Sequence, residues 1–308
     1  MPARDRPGPL FMVGCARTGS TVLRHVLNRS PLVSLASETH FIAWARRERL
    51  EQRLASARAT RADADLVAVA ARLHRREFWT WVPRNVTRDE LVAMLRASDL
   101  TPRGVFAALL GLYAERRGGL APGHGVVGEK TPEHLDDVPL LEAWFPDARF
   151  IHTFRDPRGI YASELRRLRQ GRWGPKARIA WLPGWILDPW LAPFQLLRTT
   201  ITWRRAASLH RRYERRLGTR YRLVRFEDLI SDPERVIRSV CDFAGVPFES
   251  SMLDDVDVVG SSFQERRHAG GGFDPRAARR WRTEVGFVAR RWFSVVLGPD
   301  LARFGYPA

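Results

Sequence analysis

Eight consecutive residues near the start of the chain, Gly14-Cys15-Ala16-Arg17-Thr18-Gly19-Ser20-Thr21, have the make-up of an anion cradle. The apolar run Leu10 to Val13 precedes them and reads as a buried strand. A helical pattern follows, with Val22, Leu23, Val26 and Leu27 on one face. In a strand–loop–helix of this kind, backbone N–H groups and the helix N-terminus both point at a bound anion. A loop built to hydrolyse nucleotides reads G-x-x-x-x-G-K-[ST], its Lys reaching the β- and γ-phosphates. Here Ser20 stands at that Lys position and the cation has moved back to Arg17. Without the bridging Lys, the loop suits a shorter anion, such as one phosphate joined to one sulfate.

A second anion signature lies in T-F-R-D-P-R-G-I-Y-A-S, where Arg155 is followed eight residues later by Ser163. Arg155 sits at the carboxyl end of the strand Arg149 to Phe154, where open α/β sheets bind their ligands. Its planar fork suits phosphate, and Ser163 falls on the helix that follows, within reach of the same anion. Two groups could serve group transfer itself. Lys130 follows the strand Gly125 to Gly128, and Lys130 and Lys176 are the only lysines among 51 basic residues. A Lys kept at this place in an arginine-rich chain points to a compact ammonium. Glu38 follows a second short strand, Val33 to Leu35, and faces the same end of the sheet. His40, Glu129 and His134 are the alternative bases.

These residues resemble the sulfotransferases that use 3′-phosphoadenosine-5′-phosphosulfate (PAPS), with a motif style closest to the Golgi and carbohydrate-type members. The resemblance implies that Arg17, Thr18, Gly19, Ser20 and Thr21 bind the 5′-phosphosulfate. It implies that Arg155 and Ser163 bind the 3′-phosphate. The stretch from Ser261 to Phe273 resembles the family's closing loop, making Arg266 and Arg267 further ligands of the 3′-phosphate. Lys130 lies in a segment where family members carry a Lys that assists catalysis, and Arg225-Phe226-Glu227-Asp228-Leu229 matches a structural segment. Ser37-Glu38-Thr39-His40-Phe41 resembles the Glu-x-His-Phe segment of heparan sulfate 3-O-sulfotransferases, in which the Glu is the base. Cytosolic sulfotransferases use a His two residues after the Lys; Pro132 occupies that position, so their mechanism does not carry over. Sulfuryl transfer resembles phosphoryl transfer in relying on positioning and charge stabilisation. No His, Cys and carboxylate cluster at ligand spacing implies a metal.

Strands must present these residues along one edge. Beyond those named, Tyr221 to Val224 reads as a strand, and Asp232-Pro233 opens a helix that ends at Gly245. A long helical stretch runs from Thr39 to about Leu120, with a helix start at Thr101-Pro102. The alternation of strands and helices argues for an α/β fold: a parallel β-sheet flanked by helices, P-loop NTPase-like in the manner of the sulfotransferases, with helical insertions. We expect one domain over residues 1–308, with acceptor-specificity insertions at 46–122 and 165–205.

The chain of 308 residues is 44% hydrophobic and 28% charged, with a formal net charge of +17. That field attracts anions of several kinds. Zinc-finger spacing and RNA-binding aromatic motifs are missing, so nucleic acid is not the expected partner. Cys15 and Cys241 suggest no disulfide framework, Met1 to Pro9 is polar and Pro-rich, and no apolar run reaches 18 residues; a cytoplasmic location is expected. Ile179 to Leu197 carries three Trp and three Pro, and the prolines argue against a regular membrane-spanning helix. It reads as irregular core cover, as a wall of the acceptor site, or as peripheral membrane contact through Trp181, Trp185 and Trp190, the last two favouring an apolar or lipid-linked acceptor. The expected acceptor is a hydroxyl-bearing small molecule, lipid or glycan. A P-loop small-molecule kinase and a non-catalytic polyanion- or membrane-binding protein are the competing readings.

Overall fold

The computed structural model describes residues 8–60, 63–75, 79–118, 120, 125–169, 184–254 and 273–307. Five strands, β1 (Leu10–Gly14), β2 (Val33–Ser37), β3 (Val126–Lys130), β4 (Arg149–Phe154) and β5 (Tyr221–Arg225), form one parallel sheet in the order β2-β3-β1-β4-β5. All five β1 residues are buried, as expected of a central parallel strand covered on both faces. Side chains alternate across the pleat. Phe11 and Val13 enter the larger core with Phe41, Phe106, Phe150 and Trp203, while Leu10 and Met12 enter a second core with Leu23, Val26, Ile151 and Ile237.

Helices cover both faces. After β1 comes α1 (Ser20–Leu27). Between β2 and β3 run α2 (Phe41–Arg47), α3 (Leu50–Thr60), α4 (Asp63–Leu73), α5 (Val82–Asn85), α6 (Arg88–Ala97) and α7 (Pro102–Gly118). Among the described residues the expected helical stretch is therefore six helices. A Thr87–Glu90 capping box opens α6, and the Thr101 hydroxyl accepts the Gly104 N–H at the start of α7. A 3₁₀ turn (Pro132–Leu135) and α8 (Val138–Trp144) join β3 to β4. Then follow α9 (Pro157–Arg169), α10 (Gly184–Leu217), β5, α11 (Phe226–Ser231), α12 (Pro233–Ala244), α13 (Arg276–Arg279), α14 (Trp281–Glu284) and α15 (Phe287–Arg303). Asp232 caps α12 through the Arg235 N–H, and Gly245 ends it in the left-handed region at φ 73.

Two local expectations change. The first helix starts at Ser20 rather than Thr18, because Arg17 (φ 71) and Gly19 (φ 85) are left-handed and cannot belong to it. The reading of the Trp-rich segment as irregular fails for 184–197, which forms the first turns of α10 with Pro189 and Pro193 inside it. Trp203, Ala206, Ala207 and Tyr213 bury the later turns, and that anchoring outweighs the two missing donors near the helix start. Among the described residues no helix is long and apolar enough to cross a membrane.

Candidate active site

The carboxyl ends of β1, β2, β3 and β4 meet on one edge of the sheet. Thr153 pairs with Gly14, and Lys130 pairs with both Met12 and Ser37. From that edge the Gly14–Thr21 loop wraps to α1, whose N-terminus has no side-chain cap and no acidic residue in its first turn. A cluster of N–H groups without a local carboxylate is a ready anion site. The loop is braced from inside: the Thr18 hydroxyl donates to the Cys15 carbonyl (2.8 Å) and shares a 2.7 Å hydrogen bond with Thr153 Oγ1. Thr18 is buried, so its hydroxyl shapes the cradle and only its backbone is placed to face a ligand. Burial lifts the Cys15 thiol to about 12, so it is an inert neutral group in this loop.

The two arginines set 138 positions apart come together here. Arg155 Nη1 donates to the Arg17 carbonyl (3.1 Å), and Arg155 Nη2 donates to the Ala277 carbonyl (3.0 Å). The Arg155 guanidinium lies 4.0 Å from the centroid of the Phe226 ring. Arg17 Nε donates to Ser163 Oγ (2.9 Å) and stands 3.9 Å from Glu164. Burial holds the Arg155 guanidinium down to about 10 and lowers that of Arg17, so an anion placed here would meet two poorly solvated cations. Arg155 Nε is enclosed with no hydrogen-bond acceptor, a donor without a partner at the floor of the site. Beside it opens a shallow cleft whose walls include Arg155, Ser163, Arg166, Arg280, Trp281 and Glu284. Gly159 is required here, because a Cβ at that position would stand 2.7 Å from Arg155 Nε.

At the other end of the cradle, Lys130 is 2% exposed, and its ammonium donates to Thr21 Oγ1 (3.3 Å) and to the Glu38 carboxylate. Glu38 stays 45% exposed. Its N–H donates to the Lys130 carbonyl (2.7 Å), so backbone and side chain hold one pair together. Burial lowers the Lys130 pKa, and the Glu38 charge only partly restores it. Burial raises that of Glu38, but the Lys130 ammonium overrides it and leaves the carboxyl below its ordinary range. Glu38 and His40 both have left-handed backbone, at φ 34 and φ 50. Such conformations in non-glycine residues gather at functional sites.

Glu129 and His134 form a separate buried pair on the opposite face of β3. Glu129 is 1% exposed and accepts from the Thr39 and Thr131 hydroxyls as well as pairing with His134. Burial opposes the ionised form of each, yet their mutual attraction lowers the Glu129 pKa and raises that of His134. Enclosed and mutually engaged, neither group is placed to take a proton from an acceptor. His40 is half-exposed, with its ring 3.8 Å from Glu133.

Of the site residues expected from sequence, Arg17, Thr21, Arg155, Ser163, Glu38 and Lys130 are brought into this one constellation, with Gly19 and Ser20 at the mouth of α1. Arg266 and Arg267 lie outside the described residues, as does Trp181. Sequence reasoning missed Arg166 and Arg280 as lining of the cleft; Trp281, open between the adenine side and the core from sequence, is buried in the core and also lines the cleft. In a chain whose basic residues are almost all arginine, none of these arginines stands out by type. It also left Glu129 and His134 open as bases. Side-chain alternation along β3 carries the signal that was available, since Glu129 and Lys130 must face opposite ways. Among the described residues no group of three or more His, Cys, Asp or Glu is placed to hold a metal ion.

The parallel sheet in the order β2-β3-β1-β4-β5, flanked by helices, defines an α/β protein of the P-loop NTPase-like fold. The model of the sulfotransferase family matches residues 9–250, and the chain belongs to that family. Two solved structures share the fold along their whole length. The sulfotransferase domain from the Synechococcus PCC 7002 olefin synthase is 21% identical, with a TM-score of 0.59, covering 100% of this chain and 98% of that one. The sulfotransferase domain from the curacin biosynthetic pathway is 18% identical, with a TM-score of 0.55, covering 98% of each. An uncharacterized protein of Aquifex aeolicus (strain VF5) is 22% identical over 249 residues, which are 80% of this chain. The chain spans about a quarter (26%) of the length of that relative.

Proposed function

We propose that the chain is a PAPS-dependent sulfotransferase that acts on a hydroxyl-bearing acceptor. The observation that carries this reading is the joining of Arg17 and Arg155 at one end of the cradle and of Lys130 and Glu38 at the other. The N–H groups of the Arg17–Thr21 loop would receive the 5′-phosphosulfate, with Arg155, Ser163 and the orphaned Arg155 Nε taking the 3′-phosphate. Arg166 and Arg280 add charge to the same cleft. Glu38 takes the acceptor's proton as the acceptor oxygen bonds to sulfur. The bond from sulfur to the 5′-phosphate oxygen breaks, and Lys130 stabilises the charge that develops there. Adenosine 3′,5′-bisphosphate (PAP) leaves. Ser20 in place of a bridging Lys speaks against a kinase using the same loop.

The long insertion between β2 and β3 and the segment from α9 to α10 would shape the acceptor side, within a single domain spanning the chain. The acceptor is read as a lipid, glycan or other small molecule with an accessible hydroxyl, and the location as cytoplasmic or membrane-associated. Titration with PAP and with ATP–magnesium, followed by transfer of labelled sulfate from PAPS to extracted lipids, glycans and phenols, tests this. Binding of PAP, with sulfate transferred to a hydroxyl compound, is expected. Tight ATP binding with none for PAP would overturn the reading.

A further inference from the structure

Ten large apolar side chains are exposed among the described residues, and eight of them lie on α10 and α15. Scattered exposure is ordinary, but concentration on two helices is not. On α10, Trp190, Phe194, Leu197 and Ile201 recur at spacings of four, three and four, which is one helical face. On α15, Phe287, Val288, Trp292 and Val295 form a second stripe. The opposite faces of both helices are buried, through Trp203 and Ala206 on one and Phe293 and Leu297 on the other. Trp292 Nε1 donates to Thr200 Oγ1 (3.0 Å), so the helices are joined where the stripes lie. Trp190 is 81% exposed, Phe287 73% and Val288 78%. The side chains of Trp181 and Trp185 lie outside the described residues, and the surface does not depend on them.

Charge selects the occupant. Helix α10 carries seven arginines, of which Arg198, Arg205, Arg211 and Arg216 pair with Glu164, Asp136, Asp300 and Glu142, while Arg204, Arg212 and Arg215 continue the Trp190–Ile201 side down the helix; α15 adds Arg290, Arg291 and Arg303 against Asp300. The whole chain adds a net charge of +17. A second copy docking by two-fold symmetry would bring this positive face against itself. Nucleic acid would satisfy the arginines and leave the apolar stripes in water. An anionic bilayer satisfies both, with Trp and Phe at the headgroup boundary and arginines on the lipid phosphates. We infer that the α10–α15 face docks on an anionic lipid surface.

The same face adjoins the cradle. The Cys15 thiol lies 3.7 Å from the Thr202 carbonyl of α10, Trp203 Nε1 donates to the Arg155 carbonyl (2.9 Å), and Arg198 reaches Glu164 beside Arg17 (3.9 Å). Docking would therefore bring the phosphate loop close to the membrane. The corollary that the acceptor hydroxyl is carried on a lipid rests on the sulfotransferase reading, whereas the docking does not.

Sedimentation of the full chain with vesicles tests it. Vesicles of phosphatidylcholine alone are compared with vesicles carrying about a third phosphatidylglycerol. Binding to the anionic vesicles is expected, and it should weaken as salt is raised. The variant Trp190→Ser/Phe287→Ser/Val288→Ser should bind at least about tenfold more weakly, while its PAP affinity stays at the wild-type value and reports an intact fold. Arg291→Glu should weaken vesicle binding several-fold at low salt. Wild-type protein that stays in the supernatant, or a triple variant that sediments as well as wild type, would overturn the proposal. So would a wild-type dimer that the triple variant turns into a monomer without vesicle binding, since the face would then meet a second copy. Vesicle binding without PAP binding would instead remove the nucleotide reading and leave the docking in place.

Discussion

Glu38 is ionised at neutral pH because the Lys130 ammonium holds its carboxyl below the ordinary range. A base in that state is available across the neutral range and is lost only in acid. Lys130, lowered by burial, loses its charge below the ordinary lysine range. The rate of sulfate transfer should thus fall on the acid side below the usual carboxylate pKa, and on the alkaline side earlier than a free ammonium would allow. A pH series of kcat/KM checks both limbs. Glu38→Gln should lower kcat by about a hundredfold or more and leave PAP affinity within a few-fold. Unchanged turnover in that variant would return the role to another group. Glu129, one position before Lys130, should behave differently. Glu129→Ala leaves the His134 imidazolium buried without its carboxylate and frees the Thr39 and Thr131 hydroxyls. A loss of stability of about 3–5 kcal/mol is expected from urea unfolding. Residue types and order pointed to Arg17, Glu38, Lys130 and Arg155, because loop and strand-end motifs are local. The Glu129–His134 pair was not legible as a pair, since it exists only once the 3₁₀ turn after β3 folds His134 back under the strand.

The loop, the β4 end and α11 interlock through one contact. A Cβ on Gly19 would stand 2.5 Å from Phe226 Cδ2, and Phe226 is the ring beneath the Arg155 guanidinium. Gly19 also holds φ 85, which a side chain rarely tolerates. Gly19→Ala should therefore move both anion-binding elements at once. Loss of PAP binding by tenfold or more is expected, with a fall in stability of about 1–3 kcal/mol. Calorimetric titration and thermal unfolding read the two effects; an unaltered PAP affinity would mean that the loop and Arg155 do not share a ligand. Strand β1 was legible as an element because it is a short apolar run closed by a turn glycine. The start of α10 was not, since two prolines outweigh helical pattern locally and the burial of Trp203 and Tyr213 that rescues the helix lies further along the chain.

For the molecule as a whole, alternation of strands and helices was enough to give a parallel sheet, while its order and the meeting of Arg17 with Arg155 required the folded chain. The same packing stores a liability to acid. His152 lies inside the sheet core on β4, its Nδ1 2.6 Å from the Tyr221 hydroxyl and its Nε2 enclosed without a partner. Burial, and then the nearby His210, push it down to about 3 from an ordinary 6.5. His210 is lowered as well, chiefly by burial. The unfolded chain therefore binds protons at these sites in a range where the folded chain does not. The stability they represent is complete above about pH 6.5 and is lost as pH falls towards 3. His134 runs the other way: raised by Glu129, it favours the fold in acid, and that contribution is lost as pH rises through its folded pKa. Titrating carboxylates also increases the surplus of positive charge on a chain that already carries +17. Urea unfolding at a series of pH values should show wild-type stability dropping across this window, with His152 accounting for about 5 kcal/mol at most. His152→Leu, which leaves Tyr221 bonded to His210 at 3.1 Å, should flatten the slope between about pH 6 and pH 4. Equal slopes in wild type and variant would show that the acid limit comes from the arginine surplus rather than from the buried imidazole.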